Sequence, residues 1–420
     1  MGTRLSAHTA SVPVVRPVPA PHGAVQHRPG LVVFLGLLVA LGPFTIDLYL
    51  PAFPAVQAAF RTSDVAIQLT LSATVIGFAL GQLVVGPLSD RFGRRVPLLV
   101  ATSIHVLACL GAAVAPDVGV LAAFRLLQGI GAAGGGVVAQ AMIRDLFSGH
   151  RLVRMLANMG LVSGAAPIVA PLIGSQLLAL LDWRGLFVSL ACYGGAALAL
   201  AFVQVGETRT RTARATHAHA GVGARYRAVL TDRVFVGTMV AGAMQGAGLF
   251  AYLAVSPFLL QQGYGLSPQQ YGLAFASNSI GVVLGAQVAA RLMRRIGPQW
   301  ILVGTVSAQL LAAVALLSTL LYPAPLWAVL APLALFLTAC GFGFPTVQVL
   351  GLMRHGEEAG TAASLLGVAN FGLAALMPPL VGLLGAAAAS SIGIVAATAG
   401  LVAAGALLLL VRPRTVPPIG

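Results

Sequence analysis

This chain of 420 residues has no lysine, only three cysteines, and charge on only 8% of its residues, against 58% that are hydrophobic. So little charge excludes an ordinary soluble domain, in which roughly a quarter of residues are charged. The mean hydropathy of +0.93 agrees. Cys109, Cys192 and Cys340 all fall inside apolar runs, which excludes a disulfide framework and leaves no metal-ligand spacing. They read as small packing residues. No polar stretch is long enough for a soluble catalytic domain, and the apolar runs hold no Ser/His/Asp set and no paired carboxylates. Neither an enzyme, a metal nor a cofactor is therefore expected. The missing lysine, beside abundant Ala, Gly and Val, reads as base-composition bias and carries no functional message.

What is present is a series of long apolar runs. Twelve are found, near 31–54, 66–85, 96–115, 118–140, 155–180, 185–205, 234–260, 271–290, 299–321, 325–352, 361–384 and 389–411. About twenty apolar residues cross a bilayer core as a helix, so an all-α membrane protein with twelve transmembrane helices is expected. The first run is too long for a signal-peptide core and no small-residue cleavage site follows it, so an uncleaved first helix is expected. Residues 1–30, with Arg4, Arg16 and Arg28 among Pro, His and Ala, read as a disordered tail. The longest charged interruption, 206–232, separates six runs from six. The expected organisation is thus an N-tail (1–30), a six-helix bundle (31–205), a linker loop (206–232), a second bundle (233–411) and a C-tail (412–420). His217 and His219 in the linker read as solvated, since a metal site needs more ligands.

A net charge of +14 would by itself point to nucleic acid. Its distribution points to a bilayer. With the N-terminus inside, 21 of the 24 arginines fall in cytoplasmic segments; Arg61 and Arg184 fall outside and Arg125 lies within a helix. That is the positive-inside pattern, and it places both termini in the cytoplasm; the expected location is a bacterial inner membrane.

Two charges lie well inside apolar runs. Of ten acidic residues, nine map to loops or run ends and only Asp47 does not; among the arginines only Arg125 is internal. Ionisable groups in hydrocarbon are costly, so both are functional candidates. Asp47 lies roughly 24 Å along run one at 1.5 Å per residue, about 6 Å short of the far boundary of a core of roughly 30 Å. Arg125 is roughly 10 Å deep. At comparable depth the pair would act together: Asp47 takes and releases a proton, and Arg125 is its electrostatic partner. His105, alone on an apolar run, reads as a packing residue. The amides Gln82, Gln128, Gln140, Asn158, Gln245, Asn278, Gln287, Gln348 and Asn370 are candidates for joining helices or lining a cavity.

The most specific pattern is Gly86-Pro87-Leu88-Ser89-Asp90-Arg91-Phe92-Gly93-Arg94-Arg95, read as a tight charged turn between runs two and three. Residues 290–297 form a weaker copy between runs eight and nine. Leu292 matches Leu88, Arg295 matches Arg91, Gly297 matches Gly93, and Arg294 stands where the first copy has Asp90. A repeat at corresponding positions implies two parallel halves with a binding site between them.

The first copy resembles the G-x-x-x-D-R-x-G-R-R signature of the major facilitator superfamily of secondary transporters. Arg125-Leu126-Leu127-Gln128-Gly129-Ile130-Gly131-Ala132-Ala133 is similar to that family's R-x-x-Q-G-x-G-A-A fourth-helix signature, whose Arg is implicated in proton coupling. Gly160, Gly164, Pro167, Pro171 and Gly174 resemble the Gly/Pro-rich fifth-helix signature of its exporter branches, with Ala165 and Ala166 intervening before Pro167. Residues 41–54, Leu-Gly-Pro-Phe-Thr-Ile-Asp-Leu-Tyr-Leu-Pro-Ala-Phe-Pro, resemble the first helix of Bcr/CflA drug-resistance transporters. The resemblance implies a major facilitator fold of two pseudo-symmetric six-helix bundles. It implies drug/proton antiport of chloramphenicol-, bicyclomycin- or sulfonamide-like compounds, with protons and the bilayer as further partners and a monomer by analogy. It also implies a cytoplasmic latch in which Asp90, Arg91, Arg94 and Arg95 pair with Arg144 and Asp145 near the end of helix four and with the start of helix eleven. Rival readings are a proton-coupled metabolite importer and, further off, a non-transporting membrane receptor.

Overall fold

Inside a bilayer every backbone N–H and C=O must be satisfied within the protein, so long apolar runs fold as helices. In the computed structural model, residues 29–204, 222–318, 325–355, 358–385 and 389–416 are described, and no strand occurs among them. Among the described residues twelve helices are long and apolar enough to cross a membrane. They are α1 (Gly30–Phe60), α2 (Asp64–Phe92), α3 (Arg95–Ala113), α4 (Val118–Leu146), α5 (Gly149–Leu177), α6 (Trp183–Gln204), α7 (Arg233–Gly263), α8 (Pro268–Ile296), α9 (Pro298–Ser318), α10 (Leu326–Leu352), α11 (Gly360–Leu384) and α12 (Ser390–Thr415).

The acids at run ends have a local job. Asp117 accepts from Val120 N at 2.9 Å and Asp232 from Val234 N at 2.9 Å, each capping a helix start. Ser267 and Gln270 form a capping box at the start of α8.

The two halves repeat one packing scheme. In the first, α2 packs on α4, α3 on α4 and α6, and α1 on α4 and α5. In the second, α8 packs on α10, α9 on α10 and α12, and α7 on α10 and α11. Between the halves, α2 meets α11 and α5 meets α8. Lipid supplies no hydrophobic drive between helices, so close backbone approach has to. The α2–α4 crossing shows it: Gly77 lies against the carbonyl of Leu126 and Gly129 against that of Thr74, where any Cβ would collide. Outward faces carry exposed apolar side chains such as Leu107, Leu311, Leu383 and Leu401, as a lipid-facing surface requires. Cys109 and Cys340 are buried packing residues as expected; Cys192 is exposed instead.

Two expectations change. Most of the charged turn is helix: α2 continues to Phe92, and the reversal is confined to Gly93 and Arg94, with Gly93 at φ 91°. Nothing from Leu88 to Phe92 breaks a helix, and glycine takes positive φ at no steric cost. Part of the linker is helix too, Val222–Thr231, held by Val229, which is buried against Val234, Phe235 and the end of α12. Residues 1–28 of the expected disordered tail, residues 205–221 with His217 and His219, and the last four residues lie outside the described residues.

The core is distributed unevenly. At the charged-turn end each half has its own: one around Phe34, Leu98 and Met142, the other around Phe235, Leu350 and Val411. At the opposite end one core spans both halves, joining Tyr49, Phe53 and Leu71 to Phe258, Leu259 and Tyr271. Among the described residues the molecule is therefore sealed between its halves at one end and parted at the other.

Candidate functional site

The site is built on a break in α1. Its α-helical ladder runs from Pro29 to Asp47, and Leu48 N still donates to Phe44 O at 3.2 Å. Pro51 has no N–H to continue it. The chain takes a 3-10 turn over Leu50–Ala52 and restarts as α-helix at Phe53. A helix end leaves carbonyls without intrahelical donors. One is taken by Arg125 of α4, whose Nη1 donates to Thr45 O at 2.8 Å. The same nitrogen donates to Gln128 Oε1 at 2.6 Å, and the guanidinium lies over the rings of Tyr49 at 4.7 Å and Phe187 at 5.8 Å. A cation at a helix C-terminus also opposes the helix dipole favourably. Behind it, Gln128 Nε2 reaches Cys109 Sγ at 2.9 Å, and His105 sits between Gln128 O at 3.3 Å and Cys109 Sγ at 3.4 Å. His105 is thus a partnered packing residue, as its sequence setting implied.

Arg125 and Asp47 form no ion pair, contrary to the expectation from depth. Arg125 is fully buried inside the first half, on the Thr45 carbonyl. The Asp47 side chain instead faces a cavity of about 450 Å³ between the halves. Rise per residue fixes depth but not azimuth, and the two side chains leave their helices in different directions. The cavity walls are mostly apolar, with Pro43, Phe78 and Pro167 from the first half and Phe275, Phe344 and Phe371 from the second, beside the polar Ser163, Tyr252 and Ser279. Asp47 is the one charged residue among those lining it.

The fifth-helix motif splits. Gly164 and Pro167 line the cavity, Gly174 packs against the Leu48 carbonyl just past the α1 break, and Pro171 is buried. Gly160 has open space around it.

At the charged-turn end Arg94 is the hub. Its Nε donates to Asp145 Oδ2 at 2.8 Å, and its Nη1 to Asp90 Oδ1 at 2.8 Å and Ser89 Oγ at 2.9 Å. Burial opposes the charge, but the hydrogen bonds Arg94 donates to Asp145 and then Asp90 outweigh that and hold the guanidinium above its ordinary pKa. Arg95 reaches Phe202 O at 3.5 Å, and Arg91 lies over the Phe92 ring. Gly86 makes ordinary contact with Val137. Arg144 points elsewhere, into a second cavity of about 550 Å³ with Gln82 and Gln140, facing Gly360 and Ser364 at the start of α11. Pro43, Phe78 and Ser163 line both cavities, so the two adjoin.

The sealed end is held by carboxamides across the halves. Gln68 Nε2 donates to Ala254 O at 3.2 Å, Gln261 Nε2 to Pro51 O at 3.1 Å, Gln262 Nε2 to Gln57 Oε1 at 2.8 Å and Gln269 Nε2 to Ser175 O at 3.0 Å. Phe53 packs on Phe258 at 5.8 Å between ring centroids. Sequence reasoning missed these glutamines and the Tyr49–Phe187 box around Arg125; a glutamine near a helix end carries no signal of the backbone it will meet.

A family model described as the Major Facilitator Superfamily matches residues 33–378. An uncharacterized MFS-type transporter of Bacillus subtilis, YdgK, is 31% identical over 361 residues, 85% of this chain and 90% of the relative. A bicyclomycin resistance protein homolog of Haemophilus influenzae is 29% identical over 350 residues, 83% of this chain and 88% of the relative. Among solved structures, a D-xylose-proton symporter superposes with TM-score 0.73 at 16% identity, covering 94% of this chain and all of that one, a likeness of fold alone.

Proposed function

Because this chain belongs to the Major Facilitator Superfamily, in its Bcr/CflA drug-resistance branch, we propose that it exports small amphipathic molecules, of the chloramphenicol, bicyclomycin or sulfonamide kind, in exchange for protons. The observation that carries the reading is the apolar, aromatic-walled cavity whose one charged lining residue is Asp47. Such a cavity suits a molecule with an apolar body and few polar groups. A sugar-like metabolite would set most of its hydroxyls against apolar walls, where only Asp47, Ser163, Tyr252 and Ser279 offer partners, which disfavours the importer reading.

Asp47 is the proton carrier. Protonated, it is neutral and leaves the cavity uncharged; a ligand that brings a cation or a donor to the same oxygens competes with the proton. That competition is antiport. Arg125 supports the step through the backbone: it grips Thr45, two residues before Asp47, so any shift of the α1 break is felt in α4. Arg94, Asp90 and Asp145 hold the charged turn against α4 as the latch, and Arg144 faces α11 at the mouth. With the arginine-rich side in the cytoplasm of a bacterial inner membrane, the parted end faces inward, as expected for a carrier ready to load from the cell.

The test is proton flux in proteoliposomes with an internal pH dye. Adding chloramphenicol or bicyclomycin drives flux in the wild type, and Asp47→Asn abolishes it. Flux that survives in the variant removes Asp47 from the mechanism. Accumulation of a metabolite down the proton gradient, with no drug response, replaces export by import.

A further inference from the structure

The imperfect second copy of the charged turn has a consequence of its own. In the first half, Arg94 finds its counter-charge within the chain, in Asp90 and Asp145. In the second half the residue matching Asp90 is Arg294, beside Arg295. The chain returns there at its end: Pro413 and Arg414 complete a pocket of about 370 Å³ with Arg294, Arg295, Gln299 and Trp300. Among the described residues no carboxylate pairs with Arg294, Arg295 or Arg414. Three like charges around one cavity repel unless an anion from outside enters it. Gln299 is buried, and its Oε1 has no hydrogen-bond partner; it can accept from a hydroxyl but not from a phosphate.

A second, apolar groove of about 270 Å³ continues from this pocket. The two share Ile296 and Trp300, both with exposed side chains. From there the groove runs along α9 and α10 past Gly304, Ala308 and Leu335. A tryptophan between a basic pocket and an apolar groove is the arrangement found where a helix leaves the bilayer. Basic pockets between helices on this side bind anionic lipid head groups.

We infer that this is a phospholipid site: the phosphate of an anionic lipid sits among Arg294, Arg295 and Arg414, a head-group hydroxyl reaches Gln299, and one acyl chain lies in the α8–α9–α10 groove. The lipid supplies negative charge where the first copy has Asp90 and the second has Arg294, and it pins the C-terminal turn to the α8–α9 turn. A phosphatidylglycerol fits both the charge and the hydroxyl.

The test uses the full chain in detergent, with lipid retention read by native mass spectrometry. Dioleoylphosphatidylglycerol is expected to bind in preference to dioleoylphosphatidylcholine. Arg294→Gln, Arg295→Gln and Arg414→Gln together, all at exposed positions, should weaken it by about fivefold each, roughly a hundredfold combined. Gly304→Leu tests the groove: a Cβ there meets nothing within 4 Å, so the fold tolerates it while the groove fills. It should weaken the lipid and leave the protein's melting temperature without lipid unchanged. Equal binding of the two lipids, or full retention in the triple variant, overturns the site. Displacement of phosphatidylglycerol by millimolar inorganic phosphate, with no effect of Gly304→Leu, overturns the lipid and leaves a free-anion pocket.

Discussion

Removing the carboxamides that seal the end opposite the charged turn should open it. The perturbation is Gln68→Ala, Gln261→Ala and Gln269→Ala together, which deletes the bonds to Ala254 O, Pro51 O and Ser175 O. Each intramolecular hydrogen bond contributes about 1 kcal/mol net. In the opened state these carbonyls are hydrated, so the net value applies rather than the larger cost of an orphaned buried group. Three bonds then amount to about 3 kcal/mol, roughly a hundredfold in the ratio of sealed to open molecules. Carrier states commonly differ by only a few kcal/mol, so the change should turn the minor state into the major one. The assay is pulsed electron spin resonance between nitroxides on the α1–α2 and α7–α8 loops, with exposed Cys192 replaced by Ser. The expected result is a longer-distance population that dominates in the triple variant and not in Gln287→Ala, an exposed amide on α8. An unchanged distance distribution would refute the reasoning and leave the aromatic and aliphatic core around Phe53 and Phe258 as what seals this end.

Two further outcomes follow from the same geometry. Arg94→Ala leaves Asp145 without its guanidinium; breaking a buried pair costs about 3–5 kcal/mol, discounted here to about 2 kcal/mol because Asp90 is largely exposed and Asp145 partly so. Thermal unfolding in detergent should register it as a lowered Tm, and an unchanged Tm would show that the hub carries no stability. Within the fifth-helix motif, Gly174→Ala drives a Cβ into the Leu48 carbonyl beside the α1 break and should abolish drug-driven flux, whereas Gly160→Ala meets open space and should leave it intact; equal effects would contradict the split.

Twelve spans, two halves and the two charges inside apolar runs were legible in the sequence because each rests on one-dimensional physics. A bilayer demands about twenty apolar residues per helix, and a charge inside an apolar run is conspicuous wherever its side chain points. What only the tertiary structure decided is direction and partnership. Depth put Asp47 and Arg125 at comparable levels, but azimuth sends one into the cavity and the other to the Thr45 carbonyl. The internal repeat put Arg294 where the first copy has Asp90, but only folding brings Arg414 from the far end of the chain to the same pocket. Gln68, Gln261 and Gln269 look alike to any pattern, since their acceptors are backbone carbonyls of the other half, which every residue possesses; which carbonyl each meets is set by how the two bundles close on one another.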